Sequence, residues 1–446
     1  MPRRSSTRAA ATIDTAVAEE VTTSESLALQ DSIVAKKTRP RRKSAVEHDD
    51  VAETTDSPKS RRSKKRKREV TSAVVADDEV DPTVVEHNHL DDAQPRTPKK
   101  NRKPPKPREP KPEPVYVIPD VETRPTTFKG RLGYACLNTI LRNKKPAKDA
   151  VFCSRTCRIA TMQEHGVEFA KELGQRNARD LLELVEWNET NRIRFMRVSS
   201  EMFPFASHKV WGYSLEYARA ELEAVGKKAR EYGHRLTTHP GQFTQLGSPR
   251  EEVTENAIRD LEYHCDMLDM IGLGPDSVMI IHGGGTYGDK QAALERLKHS
   301  IKYRLPARVR ARLVLENDEI CFSAEDLLPL CEELDIPLVF DYHHDWLLPS
   351  SIPPAEIIAR ANAIFARRGI RPKQHLSSPR PGATTLMEKR AHADRCDALP
   401  DHLPDDVDLM IEAKDKEQAV LHLYRIYQLE PVIHGTVHYV VSNCTC

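Results

Sequence analysis

Between residues 312 and 318 the chain reads RLVLEND, an apolar run that stops on Glu316, a residue able to bind a metal ion or a phosphate. A short apolar run bounded by polar residues suits a buried strand. The pattern recurs on both sides. Upstream lie RLGYACLN from Arg131, RFMRVSSE ending at Glu201, RLTTHPGQ with His239 and SVMIIHGGG with His282. Downstream lie PLVFDYHHD with Asp341 and His344, PKQHLS with Lys373 and His375, and VDLMIEAKD with Glu412. Imidazoles and carboxylates at the carboxyl ends of eight parallel strands would converge on one mouth, where barrel enzymes keep their chemistry. The reading is a metal-dependent hydrolase on an α/β fold, a (β/α)8 TIM barrel.

The intervening segments support it. Ala160–Asn191, Leu215–Tyr232, Glu251–Ile271, Lys290–Tyr303, Ala324–Leu334, Pro354–Arg368 and Glu417–Gln428 carry apolar residues at three- and four-residue spacing, the period of amphipathic helices. Ser323-Ala-Glu-Asp326 puts a hydroxyl at a helix cap with an acid three residues on. Strand and helix therefore alternate, which selects a parallel sheet. A doubly wound sheet would favour a glycine-rich first turn. Here the first strand runs into CLNTILRNKK, and only a closed barrel brings all eight strand ends to one face.

Composition divides the chain into a tail at 1–125, a barrel at 126–440 and a short end at 441–446. The tail is rich in Lys, Arg, Glu, Ser, Thr and Pro and poor in aromatics, so it cannot bury enough apolar surface to offset chain entropy and is expected to be disordered. A net charge of +1 conceals basic blocks at 39–43 (RPRRK), 61–68 (RRSKKRKR) and 98–112 (PKKNRKPPKPREPKP). Such clusters suit nuclear import or attraction to nucleic-acid phosphates. The start, MPRRSSTRAAAT, also permits mitochondrial entry. Nine cysteines, without a membrane-length apolar stretch or a signal-peptide core, fit a reducing, soluble setting without a membrane partner. Cys153 and Cys157 lack a second pair at zinc-finger spacing and read as ordinary thiols.

His239, His282, Glu316, Asp341, His344, His375, His392 and Glu412 are too many ligands for one metal, so a cluster of two or three divalent ions is expected. Mixed imidazole and carboxylate donors suit zinc or manganese, whereas an all-oxygen set would suit magnesium or calcium. One histidine alone would more often be structural. Burying the whole set without counter-charge would cost too much. Lys373 and His375 share a strand face by period-two alternation. A lysine aimed at a cation cluster must be neutral or modified, or else lie at the rim on a phosphate. The three glycines after His282 allow close approach to an anion. In His239-Pro-Gly-Gln242-Phe243 an amide and a large aromatic occupy the turn after a ligand, so Phe243 either caps the barrel or acts as a wedge entering a base stack.

From about Thr127 to about Tyr439 the chain resembles the ultraviolet damage endonucleases. RLGYACLN, RVSSEMFPFASH, HPGQF, MIIHGGG, LENDE, FDYHH, KQHLSS, HAD and EAKDKEQA carry the resemblance, in that order. It implies a barrel with a three-metal site, usually manganese, that hydrolyses the phosphodiester 5′ to photolesions in duplex DNA and acts secondarily at abasic sites. His239, His282 and Glu316 match the ligands of one ion. Glu316 bridges to a second, held also by Asp341, His375 and Glu412, while His344 and His392 match ligands of a third. His208 matches a further histidine of the site, and Lys373 a lysine that is carboxylated in the family. Gln242 and Phe243 match the pair that probes the duplex, although Tyr is commoner at the second position. Tyr134 and Asn138 match residues near the lesion pocket. The resemblance implies that Glu316, Lys373 and His208 take part in catalysis; the basic tail points to the nucleus, and a monomer is expected. A general abasic-site endonuclease and a sugar isomerase share this fold, but an isomerase has no use for the basic tail or the Gln-Phe pair. A silent damage binder would not need the ligands, all of which are present.

Overall fold

The computed structural model describes residues 115–117 and 120–438, so the expected tail lies outside the described residues except at its end. There, β1 (Val115–Val117) pairs antiparallel with β10 (Thr436–His438), ahead of the sequence boundary at 126. Eight parallel strands close a barrel in chain order. They are β2 (Arg131–Ala135), β3 (Phe195–Val198), β4 (Arg235–Thr238), β5 (Met279–His282), β6 (Leu313–Glu316), β7 (Leu338–Asp341), β8 (Lys373–Leu376) and β9 (Asp408–Ile411). Each is short, and the polar residue that ends the run stands at or just beyond the last paired position.

The helices follow their periodicity closely. α5 spans Glu251–Ile271 and α8 spans Ala324–Leu334, as the apolar spacing predicts. Ser323 and Asp326 form a reciprocal capping box on α8, which satisfies donors that the first helical turn leaves without partners. The Lys290–Tyr303 segment departs from a continuous helix: α6 (Lys290–His299) passes into a π turn over Ser300–Arg304. There the Ser300 hydroxyl donates to the Leu246 carbonyl at 2.9 Å.

Two apolar layers, one around Leu181, Leu222 and Leu423 and one around Leu261, Leu297 and Phe340, fill the space between barrel wall and helices. Inside the barrel, alternation sends Val278, Ile280 and His282 to one face, and Val314 and Glu316 likewise. Val278, Ile280, Val314 and Val339 pack with Phe365 and Ile370, while Phe195 packs against Ala135 and Met410. A Cβ on Gly133 would collide with Phe195, so this strand position must be bare. The lumen also holds a charged floor. Asp408 accepts from Arg131 at 2.7 and 2.6 Å, Arg235 at 2.8 Å and Arg371 at 3.1 Å. Apolar packing above this floor leaves the opposite end of the lumen for polar groups.

Candidate functional site

Register assembles the mouth. His282 pairs with Glu316 across β5 and β6, and Asp341 with His375 across β7 and β8. Glu412 follows β9, its amide donating to the Leu376 carbonyl at 2.8 Å. Three groups result, each with one ligand atom per residue inside a 4.8 Å span: His239, His282 and Glu316; Glu316, His375 and Glu412; Glu316, Asp341 and His344. Glu316 is common to all three and is almost wholly buried.

Hydrogen bonds aim the rings. His239 Nδ1 lies 3.1 Å from its neighbour Pro240's carbonyl, and its Nε2 meets Glu316 Oε2 at 3.1 Å. His344 Nδ1 donates to the Asn317 carbonyl at 2.9 Å, so its Nε2 is the nitrogen left for a metal ion. Committing one ring nitrogen to a carbonyl while the other stays basic is the usual preparation of a metal-binding histidine. His375 Nδ1 lies 2.8 Å from Glu316 and 3.1 Å from Glu412. Asp341 caps α9 (Tyr342–Leu347), accepting from the His344 amide at 2.8 Å and thereby fixing the spacing of two candidate ligands.

Burial and charge oppose each other throughout. Burial pushes Glu316 up, but His375, His282 and His239 outweigh it and hold the carboxyl well below its ordinary range. Asp341, less well compensated, rises to about 7 through burial, against the pull of His344. Burial lowers His344, yet Asp341, Glu316 and Glu319 together raise it to about 10. His375 falls to about 4, mainly through burial, with Glu316 resisting. Lys373, fully buried, is lowered to about 7 by burial and Arg197, against Glu316. Its Nζ contacts His375 Nε2 and lies 5.7 Å from the Phe195 ring centroid, so the depth expected of an ammonium at the rim is not observed.

Divalent cations fit these residues. His282 Nδ1 and Glu319 Oε2 are buried with no hydrogen-bond partner, and the donors around them combine neutral imidazoles with carboxylates. The sequence reading missed four supporting residues. Arg197 donates to Glu412 at 2.6 Å. Asn317 clamps Asp341, accepting from its amide at 2.8 Å and donating to its carbonyl at 3.0 Å. His343 stacks between His344 and Trp346, and Glu319 faces His344. Position supplied a signal for Arg197, which shares the lumen-facing parity of β3 with Phe195.

Other expected residues lie apart from the three groups. His392 sits on a bridge to Pro379, with its ring 5.7 Å from that of His343. His208 lines a cleft of about 810 Å³ together with Glu201, Gln242, Phe243 and Asp260. Its Nδ1 accepts from the Val210 and Trp211 amides, both at 3.1 Å, and burial lowers its pKa. Gln242 is exposed and Phe243 is 79% exposed, so the aromatic does not cap the barrel core. Thr244 ties this turn to Asp260 at 2.9 Å, and Ser207, on the loop that carries His208, donates to the other oxygen of the same carboxylate at 2.8 Å. Tyr134 and Asn138 are buried behind the barrel wall. The Tyr134 hydroxyl donates to Asn188 at 2.7 Å, Asn138 donates to that hydroxyl at 3.1 Å and also caps α1 (Thr139–Arg142). Neither presents appreciable surface to a ligand in this conformation.

The chain is similar to known proteins over most of the described barrel. The UV-damage endonuclease of Schizosaccharomyces pombe is 51% identical over 321 residues, which cover 70% of this chain and 53% of that protein. The UV DNA damage endonuclease of Bacillus velezensis is 35% identical, over 66% of this chain and 92% of its own length. The chain thus spans about half the length of the fungal relatives it matches, 53% and 52% in two of them. Among solved structures, the crystal structure of SacUVDE aligns with a TM-score of 0.58 at 28% identity, covering 66% of this chain and 96% of that one. With the sequence profile of UV-endonuclease UvdE matching residues 130–440, most of the described barrel, the chain belongs to the UvdE family.

Proposed function

We propose that this chain is a metal-dependent DNA endonuclease that cuts the phosphodiester 5′ to cyclobutane dimers and 6-4 photoproducts in duplex DNA, and acts secondarily at abasic sites. One observation carries the reading: three ligand groups sharing Glu316 open beside a turn that holds Gln242 and Phe243 out into solvent. The names of the relatives, UV-damage endonucleases, point the same way.

His239, His282 and Glu316 would hold one ion; Glu316, Asp341, His375 and Glu412 a second; His344 and His392 a third. Manganese is the first candidate, with zinc and magnesium as alternatives. Bound ions of this kind supply an activated water and neutralise charge on the phosphate and the leaving oxygen. The protein's part is orientation. Pro240 and Asn317 carbonyls fix the His239 and His344 rings, and Arg197 restrains Glu412. Lys373 would join the ligands after carboxylation, a reaction that requires a neutral amine, to which its burial predisposes it. Phe243 and Gln242 would enter the helix where a lesion has already weakened stacking, because such bases cost less to extrude. His208, across the cleft, would act on the DNA and not on an ion. The protein would work as a monomer, in the nucleus, with mitochondrial entry as a second destination.

The test is incision of a duplex bearing one pyrimidine dimer beside the same duplex bearing one abasic site, with elemental analysis of the purified protein. Faster cutting 5′ to the dimer, dependent on bound metal, is expected. Cutting at the abasic site alone would replace this reading with that of a general abasic-site endonuclease, and binding without cutting at either site would replace it with that of a damage-binding protein.

A further inference from the structure

Glu319 is a buried carboxylate in the mouth that has no part in the assignments above. It leaves β6 three residues after Glu316 and is 3% exposed. Its Oε1 accepts from Arg390 Nε at 2.7 Å and Nη2 at 2.5 Å. Its Oε2 has no hydrogen-bond partner and stands 3.7 Å from His344 Nε2. A buried carboxylate oxygen is desolvated without compensation when it is left unpaired. Because His344 Nδ1 donates to Asn317, Nε2 is the ring nitrogen turned to this oxygen, and a divalent ion bound there would take the place of its proton. At 3.7 Å the two atoms are too far apart for a hydrogen bond, and a cation between them would meet both. The spacing suits one: ligand atoms about 2.1 Å from a common ion, at a tetrahedral or somewhat wider angle, lie about 3.4–3.7 Å apart.

Arg390 gives the contact a second consequence. It precedes His392 by two residues, on a segment folded back on itself by the Arg380 amide donating to Ala391 and the Ala393 amide donating to Ser378, both at 2.8 Å. The guanidinium therefore fastens the segment carrying His392 to the segment carrying Glu316, and it occupies the Glu319 oxygen that points away from His344.

We infer that Glu319 is a ligand, through Oε2, of the divalent ion held by His344 and His392, and that Arg390 fixes its other oxygen for that purpose. This rests on the metal-dependent reading above. The test is a manganese titration of metal-free protein, counting bound ions per chain by equilibrium dialysis and following free Mn2+ by electron paramagnetic resonance. Glu319→Gln retains an oxygen for Arg390 and should bind one ion fewer than the unsubstituted protein, or bind that ion about 100-fold more weakly, with the remaining ions unaffected. An unchanged count and affinity would overturn the inference and leave the endonuclease reading intact. Unsubstituted protein that binds no ion would overturn both. Circular dichroism checks folding. If the Gln variant does not fold, Glu319→Asp, which keeps the charge but falls short by one methylene, should weaken the same ion, and unchanged affinity there would equally refute the assignment.

Discussion

Glu316 is the residue on which the mouth converges, since each of its oxygens faces a different ring: Oε2 meets His239 at 3.1 Å and Oε1 meets His375 at 2.8 Å. Glu316→Gln replaces a charged oxygen with an amide and deprives all three groups of a shared ligand at once. Incision should fall by more than about 100-fold, beyond what outer-shell changes produce. Single-turnover cleavage of a dimer-bearing duplex measures the loss, and a gel shift should show DNA binding retained. Substantial cutting at saturating manganese would contradict the bridging role. At this scale the sequence was informative where a side chain ends a strand, because the strand's direction alone sends it to the mouth. It was silent on Asn317, His343 and Glu319. Their roles depend on which carbonyl, ring or guanidinium the fold brings opposite them, and for Asn317 and Glu319 those partners, Asp341 and Arg390, come from other segments of the chain. Tyr134 shows the converse: its strand position was legible, but its parity directs it behind the wall, toward Asn188.

At the scale of elements, the turn after β4 joins ligand to probe. His239 directly follows the strand, Pro240 engages the ring, and Thr244 ties the turn to Asp260, so Phe243 is held out by fixed backbone on both sides. Phe243→Ala should remove a stacking surface worth about 1–3 kcal/mol. The loss should be large on a duplex whose dimer lies opposite paired bases. It should be much smaller when mismatches flanking the dimer have already loosened the stack. Equal loss on both duplexes would assign Phe243 to the rim. Helices were the most legible elements. Glu251–Ile271 and Ala324–Leu334 were readable to the residue from their apolar period, joined in the second by the cap signal at Ser323, whereas the π turn after His299 depends on Ser300 reaching Leu246, which no local pattern encodes.

At the scale of the whole molecule, the barrel floor carries buried charge of its own, centred on Asp408. Burial raises Asp408, but the Arg131 hydrogen bond and the Arg235 charge outweigh it and hold the folded carboxyl below its ordinary value of 3.8. Between those two values the unfolded chain binds more protons than the folded one. The stabilisation is therefore complete above 3.8 and lost as pH falls through the folded value. Asp408→Asn leaves three guanidinium groups poorly compensated and should cost about 3–5 kcal/mol near neutral pH. Urea unfolding of metal-free protein should show the gap between variant and parent narrowing in strong acid; a gap independent of pH would refute the account. The basic blocks at 39–43, 61–68 and 98–112 precede β1. Deleting residues 1–112 should therefore leave incision within about 2-fold of the full chain, while a fluorescent fusion loses nuclear accumulation. A truncated chain that cannot cut would refute that division of labour.

The β1–β10 pair has a mechanical consequence. Val115 lies opposite His438 and Val117 opposite Thr436, so the incoming and outgoing chain leave the ribbon at the same end. Tension applied between the termini would open it like a zipper, one rung after another, instead of shearing all rungs together. The ring of β2–β9 closes through pairing of β2 with β9 and includes neither strand of that ribbon. In an optical trap the ribbon should yield first at low force, and the barrel should rupture later as a separate, larger event.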